Sequence, residues 1–260
     1  MRRISAFVGA LTLALASVAA SADIVQIDQS AFQAGAGLIT FSEYPQGTVN
    51  PTYAPAQYGG GVSSPNVSFG GYFAGQTPGS VTPGACPSGA AVSGCVLGNP
   101  GGPLSIDPAS PSTFIAGDGS NPTSPVLSGT PQFNGSIAIL FSTPQAGVGL
   151  DGGYFDSVAS TAITAFDANG NVIGQVKNSI TGIEFLGLVT SDGSAQISGL
   201  LFSLVGDEPA GFAIDNLHFG EQGQVIVPPP VGGAVPEPAS LALMGTGMLG
   251  LALVGFRKFA

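Results

Sequence analysis

The chain has no tryptophan, one histidine, two cysteines and five lysines and arginines in 260 residues. Each scarcity removes a class of function. With so few cations against 15 acids the protein repels phosphate backbones, so nucleic-acid binding is excluded. A single histidine, His218, builds neither a zinc site nor a serine-type triad, and no Gly-x-Ser-x-Gly, His-Glu-x-x-His or phosphate-loop pattern is present. Two cysteines are too few for a Cys-rich zinc site. The absence of tryptophan removes the commonest sugar-stacking platform. Only 8% of residues are charged, and no stretch of the body has the 3.6-residue apolar period of an amphipathic helix.

What is abundant is glycine (41) and proline (21), set among β-branched and aromatic clusters, with 44% of residues hydrophobic. That apolar content suffices for a core, so one folded domain is expected rather than a disordered chain. All 15 acids lie between Asp23 and Glu237, and Lys177 is the only cation between residues 23 and 234. An acidic body of this kind suits solubility, high salt or divalent cations.

The remaining cations mark the two ends. Arg2 and Arg3 precede an apolar stretch from Ile4 to about Ala20, and Ala20 and Ala22 offer small residues for cleavage before Asp23. This is the tripartite pattern of a secretory signal, residues 1–22, read by signal peptidase. At the other end, Arg257 and Lys258 follow an uncharged run from Ala239 to Phe256. At about 1.5 Å per residue its 18 residues reach roughly 27 Å, enough for a transmembrane helix in a thin bilayer. The two cations stop transfer and stay on the cytoplasmic side. The prolines and glycines of residues 228–235 make an extended linker before it.

Pro236-Glu237-Pro238, the apolar run and the basic pair, in that order at the terminus, resemble the PEP-CTERM sorting signal, here residues 236–260. The resemblance implies a Gram-negative bacterium that makes exopolysaccharide, export across the inner membrane, transient anchoring there, and processing by an exosortase. It covers only the last tenth of the chain.

The body, residues 23–227, predicts an all-β ectodomain. From Phe133 onward apolar runs of strand length recur: 136–142, ending at Pro144, then 147–151, 161–176, 183–190, 195–205 and 211–219. The 161–176 run is split by Asp167-Ala168-Asn169-Gly170-Asn171, a hairpin signal. This spacing predicts an antiparallel β-sandwich. Residues 76–131 are rich in glycine and proline and are expected to form long loops on one edge, with short strands near 92–97 and 113–116. Scattered pieces (the opening ITF-acid…Gly-Thr stretch at 39–48, Tyr-Gly-Gly at 58–60, 165–174 and 214–219) look like jelly-roll and galactose-binding-like domains of exported proteins.

Cys86 and Cys95, in an exported chain, are expected to bridge. Asp167–Asn171 mimics the start of an EF-hand loop, but position twelve is Asn178, so a turn is expected. Glu43 and Asp215 sit at the ends of an early and a late strand. If those strands pair, the two carboxylates share a structural Ca²⁺; otherwise Glu43 is solvated and Asp215 caps a turn. Tyr44, Tyr53, Tyr58 and Tyr72 are the candidate sugar contacts. The reading is a non-enzymatic surface or exopolysaccharide-associated structural or adhesive protein, ahead of a lectin-like carbohydrate-binding module, with a glycan hydrolase third.

Overall fold

In the computed structural model, residues 23–118 and 125–229 are described. The signal segment, the sorting segment and its apolar run lie outside them. Among the described residues no helix is long and apolar enough to cross a membrane.

The alternating runs become strands of two sheets. One sheet holds β1 (Ile24–Gln26), β2 (Gly37–Ile39), β7 (Phe114–Ala116), β8 (Val126–Ser128), β10 (Gly147–Phe155), β13 (Gly182–Thr190) and β15 (Ala213–Gly220). The other holds β3 (Thr52–Tyr53), β4 (Val67–Gly70), β9 (Ile137–Gln145), β11 (Thr161–Phe166), β12 (Val172–Lys177) and β14 (Ile197–Leu204). Two short strands, β5 (Thr77–Pro78) and β6 (Val96–Leu97), pair separately. The spatial orders are β1-β13-β10-β15-β8-β7, with β2 also on β15, and β12-β11-β14-β9-β4-β3. The pairings within both sheets are antiparallel. From β9 onward every connection changes sheet except the β11–β12 hairpin, which turns at 167–171 as its sequence predicts.

Side chains of period two from both sheets meet in one core. Val67 and Phe69 of β4, Ile137, Ile139 and Phe141 of β9, and Leu200 and Phe202 of β14 face Val148, Leu150, Leu186, Leu188, Ile214, Leu217 and Phe219. Phe141 and Phe219 bring their ring centroids to 5.4 Å across the two sheets.

Two expectations need correction. The strand at 136–142 does not stop before Pro144; β9 runs to Gln145, and only Ala146 separates it from β10. Proline is tolerated there because β9 bulges: its partners on β14 skip from Gly199↔Leu140 to Ile197↔Gln145, so no ladder bond is asked of Pro144. The glycine- and proline-rich insertion also does not hang from an edge. Its first part, together with Phe73 just ahead of it, lies over the outer face of the second sheet. Phe73, with Val96, Leu104 and Ile106 beside it, packs on Ala138, Phe166 and Leu201. The Leu104 N–H donates to Ala168 O, and that of Gly101 to Ala74 O. Gly199 makes this fit possible, since a Cβ there meets Phe73 and Leu104 at 2.8 Å. Of the stretch 92–97, only Val96–Leu97 is strand; Val92–Gly94 is a 3-10 turn.

The ectodomain closes on itself at its ends. Phe32 bridges to Val225, and Ile27, Val189 and Val225 form a small apolar cluster. The described residues up to Pro228 form one compact unit.

Candidate functional site

The acids find hydrogen-bond donors rather than cations. Asp167 Oδ1 accepts the N–H groups of Asn169 and Asn171 at 2.8 and 2.9 Å, and its Oδ2 accepts Asn171 Nδ2 at 2.8 Å. Partial burial opposes ionisation of Asp167, but these donors win and hold its carboxyl below the usual range. Asp192 is lowered in the same way by Ser194, whose hydroxyl and N–H both donate to Oδ1. Glu184 accepts Ser179 N, Ser179 Oγ and Ile180 N. These carboxylates are turn formers, and 167–171 is the hairpin turn rather than a calcium loop.

β2 and β15 do pair, through Ile39↔Leu217, so the early and late strands carrying Glu43 and Asp215 are neighbours. Their carboxylates nevertheless take separate partners. The chain leaves β2 by a kink at Phe41 (φ 57°), and Glu43 Oε1 turns back to accept Thr40 N at 3.0 Å and Thr40 Oγ1 at 2.9 Å. Glu43 Oε2 and the Tyr53 hydroxyl are buried without a hydrogen-bond partner. Burial, and secondarily the nearby Glu43 charge, raise the Tyr53 phenol above its ordinary range.

Asp215, only 4% exposed, stands directly across from Asp151 of β10. A bulge creates this arrangement: Gly149 pairs with His218 but Asp151 with Asp215, and the extra residue, Asn216, takes a positive φ of 46°. Asparagine tolerates that conformation better than most residues. Asn216 N donates to Asp215 Oδ1 at 2.7 Å, and Asn216 Nδ2 donates to Asp151 Oδ2 at 2.8 Å. Asp118, Asp151 and Asp215 line one small pocket with Gly153, Ile183 and Ala213. No group of three His, Cys, Asp or Glu side chains suited to a metal is present among the described residues.

Tyr154 follows Gly153 of this pocket in the chain and is not among the tyrosines the sequence offers. It is 53% exposed, and a Cβ at Gly182 would touch its ring. Tyr53 and Tyr72 are buried instead. The Tyr44 hydroxyl donates to Thr52 O at 2.9 Å, and that of Tyr58 donates to Pro65 O. Burial pushes Tyr58 up to about 12. An exposed aromatic after a Gly-Gly pair carries no periodic signal that separates it from a core residue.

His218 lies on the outer side of the same sheet, its ring centroid 5.2 Å from Phe32 and 5.8 Å from Phe185. Its Nε2 is 3.0 Å from Gln29 Nε2. An amide nitrogen only donates, so His218 accepts and is neutral. Burial lowers its pKa and the Asp151 charge works the other way. This is a packed aromatic contact with no nucleophile in it.

Cys86 and Cys95 are joined, nine residues apart in sequence. A loop of that length stabilises by about 2–3 kcal/mol in the chain-entropy account. Gly79 lies against the bridge, where a Cβ would meet Cys86 Sγ at 2.4 Å.

Against known proteins, residues 234–258 match the PEP-CTERM protein-sorting motif. No match was found among curated proteins. Among solved structures the chain is similar to the enzymatically active domain of tailspike protein 4 of bacteriophage CBA120, at 14% identity and a TM-score of 0.24. The match covers 66% of this chain and 19% of that one, so the chain spans about a fifth of the tailspike domain's length. A likeness at that level bears on neither fold nor chemistry. The motif is a protein-sorting signal and implies export, processing by an exosortase and transient anchoring in the membrane.

Proposed function

We propose that the ectodomain is a non-enzymatic structural or adhesive component of the cell surface or exopolysaccharide matrix, released from its membrane anchor by an exosortase. The observation that carries this reading is the sorting motif at residues 234–258. The ectodomain is consistent with it: a sandwich fastened at its ends, stapled by Cys86–Cys95, and covered on one outer face by its own insertion. Signal peptidase acts before Asp23, and exosortase near Pro236-Glu237-Pro238. No divalent ion is part of this reading; Glu43 and Asp215 serve their own loops as hydrogen-bond acceptors. Mass spectrometry of surface material is expected to recover ectodomain peptides and none containing Met244 or Met248. An intact C-terminus in a strain with active exosortase overturns the processing step.

Tyr154 favours a second reading, a lectin-like module. An exposed aromatic one residue along the strand from a pocket lined by carboxylates suits a sugar subsite, in which the ring stacks on a pyranose face and Asp151 and Asp215 accept hydrogen bonds. Under it, a glycan array probed with the processed protein gives selective binding that Tyr154→Ala reduces at least tenfold. Binding unchanged by Tyr154→Ala, or none at all, leaves the structural reading alone.

A further inference from the structure

Glu208 is 0% exposed, in the turn between β14 and β15. Its side chain enters the loop that joins β10 to β11. Asp156 N donates to Oε1 at 3.1 Å and to Oε2 at 2.9 Å, and Ser160 Oγ lies 2.7 Å from Oε2. Ser160 Oγ also lies 2.7 Å from Ser157 O. That carbonyl is already an acceptor for Asn178 Nδ2 at 2.7 Å. Ser160, Thr161 and Asn178 are buried, so water does not intervene to complete the count.

The count of protons decides the state of Glu208. A serine hydroxyl has one proton. Both 2.7 Å contacts have the length of an O–H···O hydrogen bond, and each needs a proton between its oxygens. A carbonyl never supplies one. If Glu208 is ionised it supplies none either, and Ser160 must divide its single proton between two acceptors, each at 2.7 Å, in a weaker three-centre bond. If Glu208 carries a proton, its O–H donates to Ser160 Oγ and the Ser160 O–H donates to Ser157 O. Every contact is then satisfied. Thr161 Oγ1, 3.5 Å from Ser160 Oγ, adds no proton to the second contact.

The charges around the site agree. Asp156, on the facing loop, repels a second negative charge. Asp207, on the same turn, points toward Gly89 of the disulfide loop, which otherwise offers only the Ala91 N–H, bonded to Glu208 O at 2.7 Å. Glu184 is occupied by the amides of Ser179 and Ile180. Lys177, the one cation among the described residues, is exposed at the end of β12. The Gly211–Phe212 side brings no titratable group. Burial, aided by Asp156, lifts the Glu208 carboxyl above the usual carboxylate range, against the donors Ser160, Asp156 N and Ser157 N.

We propose that Glu208 is an uncharged carboxylic acid in the folded protein at neutral pH and acts as a proton-held latch, opened when alkaline conditions remove its proton. The latch joins three segments. The 206–211 turn holds the disulfide loop through Ala91 N, the end of β10 through Tyr154 N to Gly211 O at 2.8 Å, and the 156–160 loop through the side chain of Glu208. On deprotonation the proton passes to solvent, the Ser160 proton is contested, and the 156–160 loop, with Asn178 behind it, loses its hold. The folded form binds this proton more tightly than the unfolded form. Its contribution to stability is therefore full below the unfolded carboxylate range and falls as pH rises through the higher folded value.

Infrared spectroscopy of the purified full chain at pH 7 tests the state directly. A carbonyl band of a protonated carboxylic acid is expected, shifted in D₂O, absent in Glu208→Gln, and displaced in Ser160→Ala, which removes its hydrogen-bond acceptor. On alkaline titration the band should vanish together with the hydrogen-exchange protection of Asp156 and Thr161. If Glu208→Gln does not fold, the titration of the wild-type band against that protection decides alone. No such band at pH 7, a band that survives in folded Glu208→Gln, or protection that persists after the band is lost overturns the proposal.

Discussion

A chain truncated after Val235 is expected to yield no membrane-bound precursor at all, with the ectodomain recovered in the soluble fraction. A full-length chain carrying Pro236→Ala and Glu237→Ala is expected to do the opposite and accumulate in the membrane with its C-terminus intact. The two outcomes separate because two physical events use neighbouring residues. Under the proposed function, anchoring depends on the uncharged run 239–256, in which apolar residues such as leucine each favour the bilayer by about 0.3–0.6 kcal/mol, and on Arg257 and Lys258 to hold its end. Cleavage, in the same reading, depends on recognition of the triplet within the motif at 234–258. Fractionation followed by mass spectrometry for peptides containing Met244 reads both. Equal behaviour of the two variants would mean that the triplet and the apolar run are not separate signals.

What was legible in the sequence was local. The sorting segment is contiguous, so composition and order sufficed. The 167–171 hairpin is also local: Asp167 gathers the N–H groups of Asn169 and Asn171, and nothing distant decides it. The pairing of β2 with β15 followed from the sandwich class, but the destination of Asp215 did not. A bulge at Asn216 places it opposite Asp151, and an Asp-Asn pair inside a strand gives no sign of a bulge. The state of Glu208 was invisible for a similar reason. Its Gly-Asp-Glu-Pro setting reads as an exposed turn, while its partner Ser160 lies 48 residues away in sequence.

The insertion is the instructive failure. Val96, Leu104 and Ile106 are separated by glycines and prolines and show no period, so the segment reads as loop, and nothing in the sequence ties it to Phe73 just ahead of it. The signal lay in its partner. β14, "ISGLLFSL", is buried along its whole length, and β11 likewise. Strands that are apolar on both sides need cover on both sides, and an antiparallel sheet with one wet face would have alternated instead.

Phe73→Ala is accordingly expected to destabilise the protein by about 3–5 kcal/mol, as much as Phe202→Ala in the central core. Phe202 is fully buried between the sheets, with Phe155 and Phe212 about it at centroid distances of 6.3 and 6.1 Å. Its removal leaves a cavity that rigid strands on both sides do not close, so a large loss there is unsurprising. Phe73 stands just ahead of the insertion and packs beneath it, yet it is equally buried, with an edge-on contact to Phe166 at 5.5 Å and Gly199 beneath its ring. Loops relax more readily than strands, which would reduce the cost of its cavity. Several contacts oppose that relaxation: Phe73 N donates to the buried Gln76 Oε1 at 3.0 Å, Phe73 bridges to Ile106, and the Ala74 N–H is tied to Ser105 O at 2.8 Å. Urea denaturation of the full chain and both variants measures the two losses on one scale. A cost for Phe73→Ala within about 0.5 kcal/mol of zero, the ordinary range for a surface substitution, would make the insertion a loose cover rather than a third layer of the fold.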